Sequence, residues 1–91
     1  MTGLELARKH GARVARGPAD CYRWDLRTVV LTIPVILGSD AHSLYVAAHE
    51  AAHHQQHEAW PWVMWLRIFE PFRWWLEADA GRRAERMLAA V

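Results

Sequence analysis

The chain has 91 residues, of which 53% are hydrophobic and 23% are charged. This length allows a single domain over residues 1–91, and the composition excludes an intrinsically disordered or collagen-like chain. Eleven basic and ten acidic residues give a net charge of +1, so the charge offers no reason to expect a nucleic-acid partner.

Cys21 is the only cysteine, which excludes an internal disulfide and a zinc site built from cysteines. A domain this small usually needs an additional cross-link, so we expect one of another kind. The chain does not begin with a basic region followed by an apolar stretch. We therefore expect no signal peptide and a cytoplasmic location.

The first third of the chain predicts a short helix and a small sheet. Thr2 and Glu5 have capping-box spacing, and Gly11 can end the helix. A short strand is predicted from Ala12 to Arg16, followed by a turn. The segments Tyr22 to Trp24 and Arg27 to Ile33 are rich in aromatic and β-branched residues, so they predict a hairpin.

Pro34 suits the end of a strand or an edge position, because it has no backbone donor. We therefore expect the segment from Thr28 to Ile33 to be an edge strand along which an extended peptide can align.

The rest of the chain predicts helices. Asp40 can cap a helix that runs from Ala41 to about Ala59, where Gly and Pro are absent. Pro61 can open a short helix or a linker, and a last helix runs from about Pro71 to Ala90. The expected fold class is therefore α+β, with a short N-terminal helix, a small sheet or hairpin and two long helices.

The first long helix carries an HExxH motif, from His49 through Glu50 to His53. Residues four apart share a helix face, so both imidazoles can reach one Zn2+ while Glu50 contacts metal-bound water. His57 shares this face too, but a helix rises about 6 Å every four residues, too far for one ion to reach all three histidines. His54 points off the face.

The third protein ligand must therefore come from another segment. The candidates are the carboxylates downstream of the motif, namely Glu58, Glu70, Glu77, Asp79 and Glu85. Glu77 has the most suitable surroundings, since small residues follow it and let its helix pack closely against the alanine-rich helix. These small residues are Ala78, Ala80, Gly81 and Ala84.

In the HExxH helix and in the segment that begins at Glu77, the chain resembles the YugP-like family of neutral zinc metallopeptidases. The family's HExGH helix is similar to Val46 to His57, and its Glu-x-Asp-Ala-Ser-x-Arg-Ala segment is similar to Glu77 to Ala84. Its Arg-Thr-Val strand, followed by Pro and Gly, is similar to Arg27 to Leu31 with Pro34 and Gly38. Thr2-Gly3, Glu5 and Ala7 also fit the family's N-terminal helix.

The chain departs from the family pattern at three places. Ala52 and Gly81 stand where the family usually has Gly and Ser. The family's long membrane-spanning stretches between the two ligand segments are missing, and residues 54–76 form a short connector instead.

The resemblance implies a minimal zincin-like core and a gluzincin-like peptidase that acts on peptide or protein substrates. His49, His53 and Glu77 would hold Zn2+, and Glu50 would be the general base. Tyr22, Tyr45, His57 and an arginine stay open as groups that stabilise the oxyanion. Asp79 can orient a metal-binding histidine, or it can be a solvated carboxylate or a partner of Arg82 or Arg83. The alternative function is a non-catalytic zinc module, in which His57 or Asp79 closes the site.

Five of the six tryptophans lie between Trp60 and Trp75. This segment contains Arg67, Glu70 and Arg73, so it is too polar to cross a bilayer. Three roles stay open for it. The aromatic side chains can cover the small core, form a contact in a homo-oligomer or with another partner, or make peripheral contact with a membrane surface.

Overall fold

The computed structural model describes residues 1–91. Five helices and a three-stranded mixed sheet form an α+β fold, which confirms the expected fold class. In chain order the elements are α1 (Gly3–Lys9), β1 (Arg13–Arg16), β2 (Cys21–Arg23), β3 (Thr28–Leu31), α2 (Ile33–Leu37), α3 (Ala41–Ala59), α4 (Val63–Leu66) and α5 (Glu70–Ala89).

Helix α1 begins and ends as the sequence predicts. The Thr2 and Glu5 side chains each accept a hydrogen bond from the other residue's backbone N–H, forming the capping box. At the other end Gly11 adopts a φ of 82°, and the N–H groups of Gly11 and Ala12 donate to the carbonyls of Arg8 and Ala7. This bond pattern is a Schellman motif, which uses the freedom of glycine to reach positive φ.

Strand β3 lies at the centre of the sheet, so the predicted edge strand is wrong. It pairs in parallel with β1 and antiparallel with β2, in the order β1-β3-β2. The predicted hairpin is confirmed as β2 and β3. Pairing with β1 covers the other edge of β3, so β1 and β2 are the two edge strands.

Pro34 lies in the first turn of the short helix α2, and strand β3 ends before it at Leu31. The expected strand end at Ile33 is therefore wrong. The fixed φ of proline and its missing N–H suit the first turn of a helix, where that donor needs no partner.

Helix α3 is the central element, in contact with α1, α2, α5 and the sheet. Asp40 caps it by accepting a hydrogen bond from the backbone N–H of Ser43, and the predicted limits are confirmed. The apolar residues that α3 contributes to the buried core are alanines. Fully buried alanines of α3 are Ala47, Ala48, Ala51 and Ala52.

Helix α5 packs against α3 through some of the small residues that the sequence indicates. Ala80 and Ala84 are fully buried in the core shared with α3. Ala78 is exposed, and a Cβ placed on Gly81 would meet no atom within 4 Å. Close packing therefore depends on Ala80 and Ala84, while Ala78 and Gly81 do not contribute to it.

The segment from Trp60 to Trp75 covers the core only in part. Val63 is fully buried, but Trp65 and Trp74 are each 77% exposed. Other large apolar side chains exposed in this segment are Trp62, Leu66, Ile68, Phe69 and Trp75. We call these seven exposed side chains the aromatic surface. No helix is both long enough and apolar enough to cross a membrane.

Two glycine substitutions test this packing in opposite directions. A Cβ at Gly3 would overlap the carbonyl oxygen of Val35, so Gly3→Ala should lower the free energy of unfolding by about 1–3 kcal/mol. Gly81→Ala has open space within a helix and should raise it by about 0.5–1 kcal/mol. Thermal unfolding of both variants measures the difference, and a melting temperature that rises for Gly3→Ala would contradict the packing described.

Candidate metal centre

Two imidazoles of α3 and one carboxylate of α5 converge. Nε2 of His49 lies 2.9 Å from Oε2 of Glu77, and Nε2 of His53 lies 3.3 Å from Oε1 of the same carboxylate. The two histidine rings stand perpendicular to each other, with centroids 4.9 Å apart. The structure thus brings together the three residues that the sequence indicates as metal ligands.

The types of donor atom in this cluster suit a zinc ion. A tetrahedral site with bonds of about 2.0–2.1 Å places neighbouring ligand atoms about 3.3 Å apart. The contacts from His49 and His53 to Glu77 are 2.9 and 3.3 Å and end on different oxygens of the carboxylate, so all three side chains reach the same region. Two imidazole nitrogens and one carboxylate oxygen are also the donors that catalytic zinc sites use.

Glu50 lies beside this cluster. One potential ligand atom from each of His49, Glu50 and His53 lies within 4.8 Å of the others, so Glu50 is a geometric alternative to Glu77 as the carboxylate ligand. Glu77 lies outside that group of three, but its carboxylate contacts both imidazoles, whereas Glu50 makes no hydrogen bond to either. Burial raises the pKa of Glu50 and outweighs the opposing effect of the two histidines.

Gln56 fixes the orientation of His53. The Gln56 side chain is fully buried, and its Nε2 donates to the Leu76 carbonyl (2.8 Å) and to Oδ2 of Asp79 (2.9 Å). Because both neighbours are acceptors, the amide oxygen must face the other way, where it lies 2.9 Å from Nδ1 of His53. Nδ1 of His53 is therefore the protonated nitrogen, and Nε2 points to Glu77.

The contact between His53 and Glu77 needs a positive charge. Two lone pairs facing each other would repel, so a proton or a metal ion must lie between Nε2 and the carboxylate. Burial alone would lower the pKa of His53, but hydrogen bonds with Glu77 and Gln56 outweigh it and raise this pKa. The hydrogen bond from His53 is the main reason why the pKa of Glu77 falls to about 2.

Asp79 pairs with Arg83, which confirms one of the roles that the sequence left open for it, and it reaches His53 only through Gln56. It contacts Gln56 rather than a metal-site histidine, and it also accepts a hydrogen bond from Nε of Arg83 at 2.7 Å. Burial would raise the pKa of Asp79, but the bonds from Gln56 and Arg83 outweigh it and lower this pKa. The ionised Asp79 thus accepts a hydrogen bond from the Gln56 amide, and that amide in turn orients His53.

Tyr22 and His57 form a separate buried pair. Burial raises the pKa of Tyr22 to about 12, so the phenol stays protonated, and its oxygen is hydrogen-bonded to Nδ1 of His57 at 2.9 Å. Burial also lowers the pKa of His57, which favours the neutral imidazole. Neither His57 nor Asp79 belongs to the cluster of potential ligand atoms around His49 and His53.

Tyr22 of strand β2 and Trp24, which follows the strand, lie against His53 and His57 of α3. The Trp24 ring lies 5.6 Å from the His53 ring and 5.3 Å from the His57 ring, measured between centroids. Tyr45, one turn before His49, has its ring 6.1 Å from that imidazole and is 43% exposed. Of Tyr22, Tyr45 and His57, which the sequence left open for the oxyanion, Tyr45 is the one with an exposed side chain beside His49.

The metal cluster faces solvent on one side. The Glu77 side chain is 54% exposed, and the His49 side chain is 25% exposed. A cleft of about 180 Å³ adjoins the cluster and is lined by Tyr45, Val46, His49 and Glu50. A larger cavity of about 570 Å³ lies between α5, the end of α3 and the residues after α1, and touches none of the proposed ligands.

Sequence reasoning missed Gln56 and Trp24. Gln56 follows His53 by three residues and so lies on nearly the same helix face, which is a signal that sequence could have provided. The approach of Trp24 depends on how the sheet packs on α3, and no local pattern indicates it.

Comparisons with models of protein families, with curated proteins and with solved structures find no match for this chain. The resemblance to the YugP-like family therefore rests on the motifs quoted above.

Replacing Gln56 tests the positioning of His53. Gln56→Met keeps the side-chain volume but leaves His53 Nδ1, the Leu76 carbonyl and Asp79 without this partner. We expect the free energy of unfolding to fall by about 1–3 kcal/mol and zinc affinity to fall about 10- to 100-fold. Urea unfolding and zinc titration against a competing chelator measure the two effects.

Gln55→Met is the matched control, because Gln55 makes a single 3.4 Å contact with Arg83. Its zinc affinity should equal that of the wild type. Wild-type zinc affinity in Gln56→Met would show that Gln56 does not position His53.

Proposed function

We propose that this chain is a zinc-dependent metallopeptidase in which His49, His53 and Glu77 hold Zn2+ and Glu50 is the general base. The observation that carries this proposal is the convergence of both imidazoles of an HExxH helix on the Glu77 carboxylate, at 2.9 and 3.3 Å. Three protein ligands leave a fourth position for water, which is the arrangement of a catalytic rather than a structural zinc site.

The residues of the site divide the chemistry between them. When bound, Zn2+ polarises a scissile carbonyl and lowers the pKa of water to about 7. The Glu50 carboxylate accepts the proton of the attacking water and then donates it to the leaving amine. Gln56 keeps Nε2 of His53 directed at the metal position, and Asp79 keeps Gln56 in place.

The fold supports the finer assignment of a minimal zincin-like core. The HExxH helix α3 packs on the sheet and on the glutamate-bearing helix α5, as expected from the resemblance to the YugP-like family. Edge strand β2 lies beside the histidines of α3. Tyr22 of β2 contacts His57, and Trp24, directly after β2, contacts His53. We propose that β2, rather than β3, is the strand along which a peptide substrate aligns.

Zinc would also supply the cross-link that a chain with one cysteine lacks. Its ligands come from α3 and α5, so binding would tie the two long helices together. The single Cys21 suits a reducing compartment, and we propose a cytoplasmic location.

A second candidate function is a non-catalytic zinc module that binds a partner. The observation that favours it is the aromatic surface, where seven large apolar side chains are exposed. Extended apolar patches of this kind mark protein or membrane contacts. Sedimentation velocity detects a homo-oligomer, and flotation with liposomes detects peripheral membrane contact.

Removing the Glu77 carboxylate tests zinc ligation. We expect excess zinc to raise the melting temperature of the wild type, because a ligand at 100 times its Kd stabilises the folded state by about 2.7 kcal/mol. Glu77→Ala should lose most of this rise and hold less than one zinc ion per chain by mass spectrometry. Glu85→Ala, in the same helix, is the control and should respond to zinc like the wild type. Equal zinc content in Glu77→Ala and the wild type would exclude Glu77 as a ligand.

Replacing Glu50 tests catalysis separately from metal binding. Glu50→Gln keeps the shape of the side chain but cannot accept the proton of water. Cleavage of casein or of a quenched peptide library should fall about 10²- to 10⁴-fold, while zinc content stays the same. Glu58→Gln, at an exposed position of the same helix, is the control. Identical rates for Glu50→Gln and the wild type would rule out the peptidase and favour the zinc module.

A further inference from the structure

The cleft beside the metal cluster joins catalytic groups to an apolar wall. Four residues line its volume of about 180 Å³. Two of them, His49 and Glu50, belong to the proposed ligand and base. The other two, Tyr45 and Val46, lie one turn earlier on α3. Tyr45 is also the exposed candidate for the oxyanion, and Val46 has no role in the proposed chemistry.

The size of the cleft suits one apolar side chain. An enclosed apolar cavity of about 150 Å³ binds benzene, so 180 Å³ is of the right size for a phenyl or isobutyl group; the four lining residues all belong to α3, and the cleft is open on its other side. The Tyr45 ring provides an aromatic face to the cleft, and Val46, which packs against the core, provides a branched aliphatic side chain. The buried Glu50 carboxylate would repel an acidic side chain.

The position of the cleft relates it to the scissile bond. A carbonyl placed at the metal cluster, with water beside Glu50, has its neighbouring side chains within about one residue length, roughly 3.5 Å along the chain. The cleft touches both His49 and Glu50. It is therefore within reach of the side chain of a residue that flanks the bond to be cut.

We propose that this cleft is a specificity site that binds one large apolar side chain, such as Phe or Leu, from the substrate residue next to the scissile bond. The proposal rests on the proposed peptidase function and adds the substrate class to it. Binding energy comes from contact of the apolar side chain with Tyr45 and Val46, while Glu50 disfavours acidic residues at this position.

Amino-acid hydroxamates test the cleft without requiring turnover, because the hydroxamate group binds the metal and the side chain probes its surroundings. With zinc-loaded protein, calorimetry should show that phenylalanine and leucine hydroxamates bind about tenfold or more tightly than alanine hydroxamate, since their side chains bury several more carbon atoms than a methyl group does. Aspartate hydroxamate should bind more weakly than all three.

Two variants locate this preference in the cleft. Val46→Trp fills it, so the ratio of phenylalanine to alanine hydroxamate affinity should fall to about one. Tyr45→Ala removes the exposed aromatic wall with little risk to folding and should also lower the ratio. Leu37→Trp, at an exposed position of α2 outside the cleft, should keep the wild-type ratio.

The outcomes separate this inference from the proposed function. Equal affinities for phenylalanine and alanine hydroxamates on the wild type, or a wild-type ratio in both cleft variants, would overturn the specificity site while leaving the peptidase proposal intact. A strong apolar preference together with equal peptide cleavage by wild type and Glu50→Gln would support the cleft as a ligand site and overturn the peptidase. Failure of every hydroxamate to bind zinc-loaded protein would overturn both.

Discussion

The close approach of α3 and α5 is the constraint on which the metal centre depends. The apolar part of this contact is formed by small side chains, because Ala80 and Ala84 of α5 are fully buried and share the core with the alanines of α3. A carboxylate side chain is short, so Glu77 reaches both imidazoles only because the two backbones are near each other. The Gln56 amide reaches the Leu76 carbonyl for the same reason. A larger residue at Ala80 or Ala84 would push the two helices apart. It would therefore separate the ligands and also break the hydrogen bond between Gln56 and Leu76.

Helix α3 buries polar side chains at the positions where a helix this central would normally carry apolar ones. Buried polar groups are costly unless they are paired, and here most of them have partners. Gln56 satisfies His53 and is itself held by Asp79, while Tyr22 satisfies His57. Nδ1 of His49 is buried and has no hydrogen-bond partner. His53 is thus the better oriented of the two imidazoles, and the network around it joins stability to site geometry.

The parts of this fold that local sequence controls were predictable, and those that distant contacts control were not. The limits of α3 follow from Asp40 and an uninterrupted run of helix formers, and HExxH spacing places His49 and His53 on one face. Parallel pairing of β1 with β3 joins residues that are distant in the chain, so the edge position expected for β3 was wrong. Exposure of Trp65 and Trp74 depends on where the connector lies relative to the core, which hydrophobicity alone does not determine.

Metal binding and folding are linked in a chain of this size. Small domains have a free energy of unfolding of about 5–15 kcal/mol, and zinc at 100 times its Kd would add about 2.7 kcal/mol to it. The methyl-rich core buries little apolar area per residue, because alanine is the smallest hydrophobic side chain, so this addition is a large fraction of the total. The packing that brings Glu77 to His49 and His53 is also the packing that zinc would reinforce. A substitution that loosens α5 on α3 should therefore weaken zinc binding, and loss of zinc should in turn loosen the two helices.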